Sequence, residues 1–261
     1  MDRKILKRPF TLKSVPDWTC PTCRRGILRI KNGTLFKEEL LKSRNHNCEE
    51  WEPEWIEYIY SCLFVCNNDQ CKEVVACSGV GSVDSDVDED GKGEMIQVYE
   101  DYFMPRFFEP HLMLMDIPEK CPESISAPLK ESFRLFFAAP SAAANNVRVA
   151  IEELLTDLKV KRFNVRNNKQ HFISLHQRIE SLPPKHSNLK EFLRAIKWLG
   201  NAGSHSHDGK NEVSMDDVMD SYEFMEHVLG EVYASKTKRL VSLAKKVNKK
   251  KGPGKKQTPL F

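Results

Sequence analysis

Residues 188–207, NLKEFLRAIKWLGNAGSHSH, decide how the C-terminal half of this chain is read. Leu189, Phe192, Leu193, Ile196 and Leu199 recur at helical spacing, so the segment predicts an amphipathic helix with one apolar stripe. The stripe runs into Gly200, Asn201, Gly203, Ser204 and two histidines, His205 and His207. Asn201 and His205 stand four residues apart and share a face if the helix continues through them. Two readings of this end are open. In one, a glycine stops the helix and Asn201 and His205 hydrogen-bond the closing loop. In the other, His205 moves protons while Asn201 and a cation, Arg194 or Lys197, stand beside it, an arrangement able to cleave RNA without metal. Spacing alone favours the first.

Further helices are expected on both sides. Ser214, with Asp217 three residues on, predicts the cap of a last helix through Val218, Tyr222, Met225, Val228, Leu229 and Val232. Upstream, Phe172 to Leu182 reads as a helix stopped by Pro183 and Pro184. Ser141 to Leu158 carries the clearest stripe, Val147, Ala150, Ile151, Leu154, Leu155 and Leu158, and Leu129 to Ala138 reads as the first helix. Residues 129–235 therefore predict an antiparallel helical bundle. Residues 105–128, with Pro105, Pro110, Pro118, Pro122 and Pro128, predict a connector lying across the surface.

Residues 1–104 read as a small β module. Residues 1–19 form a basic, extended lead-in, and residues 35–55 carry no clear signal. Cys20-Pro21-Thr22-Cys23 makes a tight turn before a short strand, Ile27 to Ile30. Tyr58 to Val65 alternates like a strand and delivers Cys66 and, after four residues, Cys71; Lys72 to Cys77 predicts the return strand. Two cysteine pairs on turns at strand ends are the pattern by which a zinc ribbon offers four thiolates to a tetrahedral ion. A structural zinc on Cys20, Cys23, Cys66 and Cys71 is expected, and such a closed site staples the fold without catalysing. Cys62 competes poorly, because residues 62 and 66 of one strand lie about 13 Å apart at roughly 3.3 Å per residue. Cys48, Cys77 and Cys121 lack partners at ligand spacing. Val83 to Glu94 reads as an exposed acidic loop. Asp86, Asp88, Asp90 and Gly91 match the first half of a calcium loop, but Gly93 and Gln97 fall where an apolar residue and a bidentate Glu belong. Strands first and helices later predict an α+β fold of two segregated parts.

The net charge of +3 conceals an asymmetry. From Lys236 onward there are ten Lys and Arg and no acid, which leaves the first 235 residues with 30 bases against 37 acids. Residues 236–261 thus predict a basic, disordered tail, and the totals give the body no basic face for nucleic acid. No apolar run approaches the roughly 18 residues that span a bilayer, and MDRKILKRPF is charged where a signal peptide is apolar. A cytoplasmic protein with no membrane partner is expected, whose eight cysteines serve as metal ligands or buried thiols.

The succession LKESFRLFFAAPSAAANNVRVAIEELLTDL, LHQRIESL, FLRAIKWLGNAGSH and a final helix resembles a bacterial family of unknown function that joins an N-terminal zinc ribbon to a HEPN-type (higher eukaryotes and prokaryotes nucleotide-binding) bundle. The resemblance runs from Cys20 to about Tyr233. Its discriminating parts are the Arg148-x-Ala150-Ile151-Glu152 helix and the Gly200-Asn201-x-x-x-His205 element. It implies a dimer built through the bundle. Many HEPN proteins are metal-independent ribonucleases, often toxins or effectors in antiviral defence, with an Arg, a polar residue and a His in their motif. Asn201 and His205 fit the last two. The Arg is absent: Lys197 stands where the related family has it, and Arg194 lies a turn further back. Lys cannot grip phosphate bidentately, which weighs against cleavage. The expected function is a non-catalytic nucleic-acid-binding or adaptor protein, taking RNA or DNA through the basic tail and zinc ribbon, with a defence-system protein as partner. The alternative is a ribonuclease with His205 as acid and base, Asn201 orienting substrate and Lys197 or Arg194 as electrostatic partner.

Overall fold

The computed structural model describes residues 2–46, 49–89, 93–166, 168–204, 212–234 and 243–249. An antiparallel sheet comes first: β1 (Leu28–Ile30), β2 (Phe36–Glu39), β3 (Glu57–Cys66), β4 (Val74–Glu89) and β5 (Met95–Glu109). The order is β1-β3-β4-β5, and β2 shares β3 with β1. Along β3 the inward positions are Tyr60, Cys62, Phe64 and Cys66, the period of two that a half-buried strand requires. The strands expected at 27–30, 58–65 and 72–77 appear as β1, β3 and the start of β4, which begins only at Val74 because Lys72 turns the chain with a left-handed φ of 52°.

The lead-in departs from expectation. Residues Arg3–Lys7 form a short helix, α1, capped by the Asp2 carboxylate, which accepts from the N–H groups of Lys4 and Ile5. Phe10 then pairs with Phe103 through two backbone hydrogen bonds of 3.0 and 2.8 Å, and its ring sits among Trp18, Tyr60, Phe64 and Phe103 at centroid distances of 5.3–5.8 Å. The buried Trp18 indole donates to the Ile5 carbonyl at 3.2 Å. Far from being a loose extension, this segment supplies the aromatic centre of the sheet's core.

The acidic stretch is also a correction. β4 and β5 stay in register from Val83↔Asp101 to Glu89↔Met95, so residues 83–89 form one arm of a projecting two-stranded ribbon instead of a loop. Asp84, Asp86 and Asp88 alternate along β4 and so share one face. Pairing satisfies the backbone N–H and C=O groups, whatever the charge of the side chains. Asp90, Gly91 and Lys92 lie outside the described residues.

The connector is shorter and more deeply set than expected. Residues 105–109 belong to β5, and Leu112, Leu114 and Met115 are buried, so the strap is part of the core and not a surface link. Helix α2 (Glu123–Leu135) starts six residues before Leu129 and contains Pro128. Proline has no N–H to give to the carbonyl of Ser124, but the buried Ile125, Leu129 and Phe133 hold the stripe on both sides of it. Helices α3 (Pro140–Asp157), α4 (Leu175–Glu180), α5 (Lys190–Ser204) and α6 (Met215–Tyr233) complete the bundle. A hairpin, β6 (Phe163–Arg166) and β7 (Lys169–Phe172), stands between α3 and α4, and α4 covers only the middle of the helix expected at 172–182. The Ser214–Asp217 capping box of α6 is present as expected.

The α+β class holds, yet the two parts share one continuous core. Phe108 of β5 meets Phe137 at 5.2 Å, and Arg106 donates to the Phe137 carbonyl at 3.3 Å. From the other side Arg3 pairs with Asp220 at 2.6 Å and Lys7 with Asp216 at 2.8 Å, clipping α1 onto α6. Among the described residues no helix is long and apolar enough to cross a membrane, and residues 243–249 of the basic tail are helical and exposed.

Candidate functional site

The four cysteines come together. The sulfur atoms of Cys20, Cys23, Cys66 and Cys71 all lie within 4.8 Å of one another, with Cys20–Cys71 at 3.8 Å and Cys23–Cys66 at 3.6 Å. Four converging thiols at these distances could hold a metal ion. Two turns build the site. In the first, the Arg24 N–H donates to the Cys20 carbonyl at 3.1 Å and Arg24 takes a left-handed φ of 55°. In the second, the Lys72 N–H donates to the Asn68 carbonyl at 3.0 Å and Lys72 takes a φ of 52°. Asn68 therefore stands in the second turn where Cys20 stands in the first, and Cys66, two residues earlier on β3, provides the thiol. That offset explains the four-residue gap between Cys66 and Cys71.

Donors surround the sulfurs. The Gly26 N–H lies 3.3 Å from Cys23 Sγ, the Asn68 N–H lies 3.4 Å from Cys66 Sγ, and the Asn68 amide lies 3.7 Å from Cys23 Sγ. Hydrogen bonds from the backbone of Gly26 and Arg25 lower the Cys23 thiol to about 6, whereas burial raises the buried Cys66 thiol to about 12. A cation displaces these protons on binding, so its hold strengthens as pH rises. Gly26 is required by close approach: a Cβ there would lie 2.3 Å from Cys66 Sγ. Cys62 is excluded as a ligand. It faces Cys77 across β3 and β4, where both are buried, and Cys121 donates instead to the Pro122 carbonyl at 3.8 Å. Cys48 lies outside the described residues.

The second candidate group is not assembled in the same way. On α5 the buried positions are Leu193, Ile196, Lys197 and Gly200, so Lys197 lies on the inward stripe, only 8% exposed, and Trp198 turns out to 62%. The Lys197 ammonium sits 3.6 Å from the centroid of the Trp198 ring, a cation–π contact worth about 0.5–2 kcal/mol. Arg194 is held by Glu180 at 2.7 Å and by Glu191, and these two carboxylates raise its pKa. Asn201 is half-buried on the last turn of α5. His205 lies outside the described residues.

Gly200 brings α5 against α3. A Cβ on it would meet Arg148 Cβ at 2.8 Å and the Ala144 carbonyl at 3.2 Å. Arg148 pairs with Glu152 at 3.2 Å and lines a cleft with Arg162 and Arg178. Sequence reading passed over Arg162 and Arg178, which belong to different elements and form no motif; Gly26 and Asn68 carried a local signal, a glycine and an asparagine beside ligand cysteines.

The molecule is thus a mixed helix-and-sheet protein with a four-cysteine cluster at the end of its sheet. Residues 8–108 match a family described as Domain of unknown function (DUF8608), and residues 130–250 match one described as Domain of unknown function (DUF4145). The first match spans the N-terminal strap, the cysteine cluster and the sheet, and the second begins inside α2 and takes in the remaining helices. No curated protein and no solved structure matches the chain.

Proposed function

We propose that this is a non-catalytic nucleic-acid-binding or adaptor protein in bacterial antiviral defence. In this reading a structural zinc staples a zinc-ribbon-like sheet, a HEPN-like bundle pairs with a second copy, and the basic tail, with the ribbon, takes RNA or DNA. The observation that carries it is the engagement of both cations that a ribonuclease would place beside His205. Arg194 is tied to two carboxylates and Lys197 is buried against Trp198. Zinc fits the cysteine cluster because a regular tetrahedron with Zn–S near 2.3 Å has edges of about 3.8 Å, which the 3.6 and 3.8 Å sulfur pairs approach.

Binding of RNA and DNA by the full chain and by residues 1–235, each at two salt concentrations, tests the reading. The tail's ten bases give an affinity that falls steeply with salt, with a slope of roughly −0.7 per phosphate contact for single strands. Deletion should remove most of the binding. Undiminished binding by residues 1–235 would contradict the role given to the tail.

A metal-independent ribonuclease using His205 is the second reading, and one observation favours it. Arg148 packs against Gly200, next to Asn201, so a neighbouring helix brings an arginine to the region where the α5 motif lacks one. A cleavage assay separates the two.

A further inference from the structure

The cleft between α3, α4 and the β6–β7 hairpin belongs to neither the cysteine cluster nor the tail. It has a volume of about 200 Å³, and Arg148, Glu152, Arg162, Phe172 and Arg178 are among the residues that line it. Arg178 is 2% exposed, and no carboxylate among the described residues comes within ion-pairing distance of it. One guanidinium nitrogen donates to the Thr156 hydroxyl at 2.9 Å and to the Val160 carbonyl at 3.5 Å, and its buried Nε has no partner among the described residues. Arg148 spends one nitrogen on Glu152 at 3.2 Å, and its Nε is likewise buried with no partner among the described residues. Arg162 reaches Glu153 at 3.7 Å. Three guanidinium groups thus meet two carboxylates.

A buried guanidinium with open donors is costly unless a counter-charge completes it. From this geometry we propose that the cleft is a binding site for a phosphate group, held by Arg148, Arg162 and Arg178. The three forks suit a tetrahedral oxyanion with up to three terminal oxygens, whereas the two oxygens of a carboxylate would leave donors open. A single water claims about 30 Å³, so the cleft holds a phosphate group together with some of its water. At the rim, Phe172 is 78% exposed, with its ring 4.5 Å from Phe163, and offers an aromatic surface to whatever the phosphate is attached to. The group is either free phosphate or the phosphate ester of a nucleoside. The site is independent of the tail reading.

Calorimetric titration of the full chain at fixed ionic strength, with inorganic phosphate, adenosine 5′-monophosphate and acetate as separate probes, tests this. One saturable phosphate site per chain is expected, with acetate at least about tenfold weaker. Arg148→Gln and Arg162→Gln, at half-exposed positions, should each weaken phosphate about tenfold, the scale of one lost charge-assisted hydrogen bond. Lys42→Gln, in the turn that follows β2, should change nothing. Tighter binding of the nucleotide than of phosphate identifies the ester as the source, and equal or weaker binding identifies free phosphate. Absence of saturable phosphate binding in the wild type would overturn the assignment. So would unchanged binding in both arginine variants when their melting temperatures show them folded.

Discussion

Replacing Gly26 with alanine puts a methyl group 2.3 Å from Cys66 Sγ and 2.9 Å from Asn68 Cβ. Gly26 has no left-handed φ, so alanine fits its backbone and the perturbation is purely one of space. Heavy atoms in good contact sit roughly 3.5–4.0 Å apart, so Cys66 or its turn must withdraw by more than about 1 Å. Metal–sulfur distances tolerate about 0.2 Å, and a shift of that size takes one of the four ligands out of reach. Altering a group that merely orients a ligand costs about 10–100-fold in metal affinity; displacing a ligand belongs at or above the upper end. Overpacking alone costs about 1–3 kcal/mol. Competition with a chromophoric zinc chelator reads the affinity, and urea unfolding of the same samples reads the stability. A Gly26→Ala protein whose zinc affinity and urea midpoint equal those of wild type would refute the account of the cluster.

Two glycines on the helices should respond in opposite directions. Gly200→Ala gains about 1 kcal/mol of helix propensity but drives a Cβ into Arg148 and the Ala144 carbonyl on α3, so a net loss of about 1–2 kcal/mol and a lower melting temperature are expected. Gly230→Ala meets nothing within 4 Å and should stabilise α6 by up to about 1 kcal/mol. His111 gives a pH dependence: burial and the neighbouring Arg134 lower its pKa, so the unfolded chain takes up this proton first. Stability should decline as pH falls below the ordinary histidine value of about 6.5 and level off below the folded value. His111→Gln should flatten that part of a urea-midpoint profile.

The cysteine cluster was legible because each of its turns is local. Cys20 and Cys23 share one turn, and Cys66 and Cys71 bracket another, so spacing singled out the four cysteines that converge. The role of Asn68 was hidden by the absent cysteine that would have marked the second turn as a copy of the first. The strap formed by Phe10 and Trp18 had no periodicity to announce it, since Phe10 finds its partner at Phe103 on a distant strand. In the ribbon, acidic composition obscured the alternation from Val83 to Asp88 that pairing with β5 exploits. In the hairpin at 163–172 Asn168 takes a φ of 57°; the two strands are only four residues each, and the apolar residues from Phe172 on were read as the start of a helix. Lys197 shows the limit of motif reading. Four residues beyond Leu193, it belongs to the buried stripe, and the helical period that placed Leu193 and Ile196 inward applies to it equally.

Incubating RNA in EDTA with the full chain, and in parallel with His205→Ala, tests the central claim most directly. A non-catalytic protein leaves the RNA intact in both, retains it at low salt and releases it at high salt. RNA cut by the wild type and spared by a folded His205→Ala variant would contradict that claim and establish the ribonuclease.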